Sequence, residues 1–151
     1  LVRPPAGGAG CHGPALPDAG ARRAPAFLAG PPGPGMRRFQ RLYAERLHEL
    51  GVEVAIETNG TRPLPDGIDW ICVSPKPRST IIQTTGNELK FVYPQPELDP
   101  EDYAEWTFDH WFIQPMDGPE GRANVERATQ YCMQNPKWRL SLQTHKLIGI
   151  P

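Results

Sequence analysis

The feature that most constrains this chain is a repeated pairing of a short apolar run with a polar cluster. Val52 to Ile56 leads into Glu57-Thr58-Asn59-Gly60-Thr61, Trp70 to Val73 into Ser74-Pro75-Lys76, Trp111 to Ile113 into Gln114-Pro115-Met116-Asp117-Gly118, and Trp138 to Leu142 into Gln143-Thr144-His145-Lys146. Short apolar runs rich in β-branched residues suit buried parallel strands. In a mostly parallel α/β sheet the carboxyl ends of the strands share one rim, so polar groups at four such ends predict a common ligand site.

Between the runs the pattern is helical. Phe39, Leu42, Tyr43, Leu47 and Leu50 recur at helical spacing from Met36 to a stop at Gly51. Strands are predicted from Val52 to Thr58, from the Asp69-Trp70 pair to Val73, and from Leu89 to Tyr93, the last closed by Pro94 and Pro96. Asp99-Pro100-Glu101-Asp102 has the proline and carboxylates of a helix start. A strand from Trp111 to Gln114 precedes the longest predicted helix, which opens at Gly118-Pro119-Glu120, turns Val125, Ala128, Cys132 and Met133 inward and ends at Pro136. Arg139 to Leu142 supplies a final strand. This loose alternation predicts an α/β protein with an open, partial barrel or mixed sheet.

A chain of 151 residues is long enough for one modest domain, and a net charge of -1 gives no electrostatic argument for a nucleic-acid or membrane partner. No apolar run approaches the roughly 18 to 20 residues of a membrane-spanning helix, and no signal-peptide pattern opens the chain, so a cytoplasmic protein is expected. In residues 1–35, Pro, Gly and Ala make up 24 of the 35 positions, a composition predicting disorder and setting that segment apart from 36–151. His12, Arg22 and Arg23 within it have no assigned role. Cys11, Cys72 and Cys132 are scattered without metal-like spacing, which predicts inert thiols.

Each cluster carries two readings. Glu57 to Thr61 offers a carboxylate, hydroxyls, an amide and a glycine for close ligand approach, or equally an Asn-Gly turn. Ser74, Pro75 and Lys76 could receive a carboxylate or ribose, or form a surface loop. Gln114 to Asp117 could contact a ligand, or Asp117 could cap the following helix. In Gln143 to Lys146 a lone His145 would ordinarily be structural, but the density of hydrogen-bonding groups strengthens the case for binding, and Pro151, five residues on from Lys146, would add a terminal carboxylate.

Taken in order, Val54-Ala55-Ile56-Glu57-Thr58-Asn59-Gly60-Thr61, Val73-Ser74-Pro75-Lys76, Leu89-Lys90-Phe91-Val92-Tyr93-Pro94-Gln95 and Arg139-Leu140-Ser141-Leu142-Gln143-Thr144-His145-Lys146 resemble the C-terminal part of the 7-carboxy-7-deazaguanine synthase family. These are radical S-adenosylmethionine enzymes of queuosine and 7-deazapurine biosynthesis. The resemblance runs from about Gly51 to Pro151. It implies a partial (β/α) barrel of radical-SAM type lacking its N-terminal strands, a homodimer, and three cofactors: S-adenosyl-L-methionine, a 4Fe-4S cluster and Mg2+. It implies conversion of 6-carboxy-5,6,7,8-tetrahydropterin to 7-carboxy-7-deazaguanine with loss of ammonia, driven by an external electron donor. By carry-over, Ser74, Pro75, Lys76, Gln114, Pro115, Met116 and Asp117 would hold S-adenosylmethionine, and Glu57, His145 and the Pro151 carboxylate would face the pterin.

The family's cluster-ligating cysteine triplet, the Thr that follows it and the Gly-Gly-Glu-Pro motif are missing from this sequence, and neither Gly7-Gly8-Ala9 nor Gly30-Pro31-Pro32 replaces them. No catalytic residue or metal ligand is therefore assigned. One expectation is a truncated or frame-shifted gene product, with residues 1–35 read out of frame. An alternative is a non-catalytic remnant that binds a pterin or pairs with an intact subunit. A third reading, an activating enzyme for another protein, has no use for the ending from Gln143 to Pro151.

Overall fold

A computed structural model describes residues 26–28 and 34–150. Its centre is a six-stranded sheet in sequence order: β1 (Ala26–Leu28), β2 (Val54–Thr58), β3 (Trp70–Val73), β4 (Thr85–Tyr93), β5 (Thr107–Pro115) and β6 (Arg139–Leu140). Every neighbouring pair is parallel. Helix α1 (Pro34–Glu49) joins β1 to β2, and α2 (Gly121–Gln134) joins β5 to β6. Parallel crossovers are right-handed, so a sheet wound in sequence order carries its connections on one face and leaves the other bare. The all-parallel sheet with its helical connections bears out the α/β expectation, and its sequential order is compatible with a barrel segment.

Alternation along the strands separates the two faces. Val54, Val73, Leu89, Phe91, Trp111 and Ile113 point into the buried core with Ala128 of α2 and Trp138. Aromatic rings meet there edge to face, Phe91 with Tyr103 at 5.5 Å and Trp111 with Trp138 at 5.1 Å between centroids. The intervening residues Glu57, Cys72, Glu88, Lys90, His110 and Gln114 share the opposite, inner face, where the register sets Glu57 beside Cys72, Cys72 beside Glu88, and Glu88 beside His110.

Several expectations change. Strands β4 and β5 are nine residues each, starting at Thr85 and Thr107 rather than Leu89 and Trp111, because their first halves carry polar side chains that mask the strand signal. The Asp99-Pro100 start yields only a 3-10 turn, Pro100–Tyr103, in which the Asp99 side chain accepts the Glu101 N–H at 3.0 Å. Helix α2, with 14 residues, is shorter than α1, with 16. Its Met133 is 78% exposed, since the inward side is formed by Asn124, Ala128, Tyr131 and Cys132.

Helix α1 is rotated relative to its apolar stripe. Leu42, Tyr43 and Leu50 are exposed, while Gln40 and Ala44 are buried. Gln40, Ala44 and His48 follow one another at i+4 spacing, and His48 Nε2 bonds Asp69 Oδ2 at 2.7 Å, so this side faces the sheet. Asp69 also accepts the Val54 N–H at 2.7 Å, and that bond, followed by the one to His48, holds its carboxyl below the usual range. The strand expected from Arg139 to Leu142 stops at Leu140, and Gln143 leads directly into a one-turn helix, α3 (Thr144–Leu147).

Candidate functional site

The carboxyl rim is assembled from the loops after β2, β3, β4 and β5 and from α3. Four of the clusters highlighted in the sequence do meet this rim. At the end of β2, Glu57 keeps its side chain half exposed on the inner face and pairs with Lys90 at 2.6 Å. The rest of that cluster is a packed turn. Thr58 Oγ1 accepts the Gly60 N–H at 3.1 Å, Asn59 Oδ1 accepts the Thr61 N–H at 3.2 Å, and Gly60 has φ +76°. A Cβ at Gly60 would lie 2.7 Å from Ile81 Cγ2, so the close approach this glycine permits is to the protein's own side chain.

After β3, Ser74 and Pro75 are buried and Lys76 is exposed, its Nζ donating to Ser74 Oγ at 3.1 Å. The Ser74 N–H reaches back to the Thr58 carbonyl at 2.7 Å, locking the second cluster against the first. Arg78 and Glu97, both at positive φ, form a two-pronged ion pair at 3.0 and 2.7 Å that ties the loop after β3 to the loop after β4. On the loop after β4, Gln95 has its side-chain Nε2 buried without a hydrogen-bond partner among the described residues.

After β5, Gln114 and Met116 are half-buried, Pro115 is buried and Asp117 is exposed. The Met116 N–H bonds the Tyr93 carbonyl at 2.8 Å, and the Met116 carbonyl accepts from Asn124 Nδ2 at 3.0 Å. Asn124, buried on the first turns of α2, escaped the sequence reading because a lone asparagine inside a helix carries no motif. Asp117 does not cap α2. The cap position falls on Glu120, which makes no side-chain cap bond, and Asp117 instead pairs with Lys146 of α3. That bond is the main reason the Asp117 carboxyl titrates below the usual range.

Pro115, Met116, Asp117, Arg122, Leu142, Gln143 and Lys146 line a cleft of about 510 Å3 with an apolar floor and a charged lip. Cations, carboxylates and amides beside apolar walls suit a small ligand with a charged end and an apolar body. His145 lies on α3, exposed, beyond β6, whereas Glu57 sits on β2, so four strand spacings of about 4.8 Å each separate their strands along the sheet. The Pro151 carboxylate, Cys11 and His12 lie outside the described residues.

The remaining thiols are poor metal ligands. Burial pushes the Cys72 thiol well above its ordinary range, with the Glu88 carboxylate adding to the rise, and burial raises Cys132 as well. One sits on the inner face of β3 and the other on α2. No group of three or more His, Cys, Asp or Glu among the described residues could hold a metal ion. The described residues therefore do not fit an iron–sulfur cluster or Mg2+. No helix among them is long and apolar enough to cross a membrane.

No protein-family model matches the chain. Among curated proteins it is similar to the 7-carboxy-7-deazaguanine synthase of Bordetella pertussis, 51% identical over 125 residues, covering 83% of this chain and 58% of that enzyme. The enzymes of the same name from Caulobacter vibrioides and Bradyrhizobium diazoefficiens are 51% and 52% identical, each over 70% of this chain and 50% of their own length. The chain thus spans about half the length of the curated relatives it matches. A match of 125 residues in a chain of 151 must begin at or before residue 27, so it extends into β1.

Proposed function

The chain is a relative of the 7-carboxy-7-deazaguanine synthases, and from that premise we propose that it is the part of such an enzyme that carries much of its S-adenosylmethionine and pterin sites. The observation that carries the reading is positional. Glu57, Ser74 to Lys76 and Gln114 to Asp117 stand at the carboxyl ends of β2, β3 and β5 on one rim of a sequentially wound parallel sheet. A partial barrel of radical-SAM type would place its ligands at that rim; the relatives' name supplies the product, 7-carboxy-7-deazaguanine, and the family resemblance implies 6-carboxy-5,6,7,8-tetrahydropterin as the substrate.

In this reading Lys76, Ser74, Gln114 and Asp117 bind the amino-acid and ribose ends of S-adenosylmethionine by hydrogen bonds, while Met116 and Pro115 cover its apolar surface. The buried Gln95 amide nitrogen on the loop after β4, without a partner among the described residues, is a donor in keeping with that ligand. Glu57 accepts from the N–H edge of the pterin, and His145 of α3 offers a further hydrogen-bonding group to that ligand. When bound, S-adenosylmethionine supplies radical chemistry, and this chain's residues orient it and exclude water. The cluster, Mg2+, electron donor and second subunit belong to the whole enzyme, and no step through them is assigned to the described residues.

The test is equilibrium binding to the purified chain, with S-adenosylhomocysteine and 6-carboxypterin as separate probes. Saturable binding of both, weakened by Asp117→Ala for the first and Glu57→Gln for the second, is expected. Binding of 6-carboxypterin alone would favour the remnant that holds a pterin, and binding of neither would refute the assignment of this rim.

A further inference from the structure

The Glu57–Lys90 pair is asymmetric in a way that neither residue shows alone. The two side chains come from β2 and β4, which flank β3, and their shared face is set by the register Glu57 to Cys72 to Glu88, with Lys90 one step further along the same side of β4. Two strand spacings amount to about 9.6 Å, so the lysine stem must cross β3 to reach the carboxylate. It can do so because β3 and its end present the small residues Cys72 and Ser74 there, both buried. The Lys90 side chain is left 18% exposed, whereas Glu57 keeps 50%. Lys90 is thus committed to the protein and Glu57 remains open to a ligand.

The pairing also leaves the carboxylate able to accept from a ligand. Lys90 Nζ approaches Glu57 Oε2 to 2.6 Å, and the half-exposed carboxylate keeps acceptor capacity beyond that contact. The other carboxylate near this lysine, Glu88, is turned toward the Trp70 indole N–H, at 3.4 Å. Trp70 in turn stacks on His110 with centroids 5.6 Å apart, which backs that arrangement from β5.

We propose that Lys90 is a positioning residue: its ammonium fixes the Glu57 carboxylate so that the exposed side of that carboxylate receives an N–H donor of the bound pterin. The role rests on the assignment of Glu57 to the pterin. It differs from a purely structural ion pair because the benefit appears in ligand affinity and passes entirely through Glu57.

The test is a fluorescence titration of the full chain with 6-carboxypterin, with thermal unfolding followed for every variant. Lys90→Met keeps the apolar stem and removes the charge. Glu57→Gln and Lys90→Met should each weaken binding about tenfold, the equivalent of about 1.4 kcal/mol. Lys90→Arg should restore affinity to within about threefold of the parent, and adding Lys90→Met to Glu57→Gln should cost nothing more. If Lys90→Met does not fold, Lys90→Gln replaces it and should still weaken binding. Loss in Glu57→Gln with unchanged affinity in the Lys90 variants would overturn the positioning role and leave the pterin assignment standing. Additive losses in the double variant would also overturn it, since Lys90 would then act independently of Glu57. A parent chain that binds no 6-carboxypterin would overturn both.

Discussion

The two faces of the sheet, carried by the same strands, divide the work of the molecule between them. On β4, Leu89 and Phe91 are fully buried, and Phe91 packs its ring against Tyr103 and Trp138. Their chain neighbours Glu88 and Lys90 point the other way, onto a face that carries an ion pair and a stacked Trp70–His110 couple. The difference follows from the two-residue pitch of a strand, which lets adjacent residues answer to unrelated demands. Volume matters on one side, and the position of charge on the other.

The sharpest test of that division sets chain neighbours against each other. Phe91→Ala should cost about 3–5 kcal/mol in urea unfolding, the range for truncating a fully buried aromatic side chain. Lys90→Met should cost no more than about 1 kcal/mol, because the partner left behind is half exposed. Equal costs would erase the comparison. In the turn after β2, Gly60→Ala should destabilise by about 1–3 kcal/mol through its positive φ and the clash with Ile81. A smaller loss, of about 1–2 kcal/mol, is expected on α2 for Asn124→Ala, which removes the donor to the Met116 carbonyl and should also weaken S-adenosylhomocysteine binding at the cleft.

The smallest effect should be at Asp117, where both partners are exposed. The Asp117 carboxyl titrates low because of Lys146, so the stabilisation from that bond is fully present above the ordinary carboxylate value and is lost as pH falls through the lower folded one. An NMR titration of Asp117 should show its midpoint rise in Lys146→Ala, with little change in melting temperature at neutral pH. An unchanged midpoint would detach α3 from the rim.

The apolar runs made β2 and β3 legible because their side chains are mostly apolar on both faces. The first halves of β4 and β5 were hidden for the opposite reason: Asn87, Glu88, Asp109 and His110 belong to a strand yet break the apolar run. Helix α1 was found from its period, but its orientation was not, since the direction it faces is set by the distant bond from His48 to Asp69. Among site residues, Glu57 stood out as a charge ending an apolar run, and its rim position followed. Lys90 was read only as part of a strand. Its role depends on a partner two strands away, and that distance is written in pairing register rather than in local spacing.

Sequential strand order also bears on how the chain is made. Each strand pairs with the one synthesised just before it, so the sheet can lengthen in step with translation without waiting for a distant segment. The rim matures in the same order: Glu57 emerges before Lys90, and Asp117 before Lys146. A nascent chain arrested after β5 would hold its core strands already paired, while the Asp117 side of the cleft still lacked the lysine that closes it.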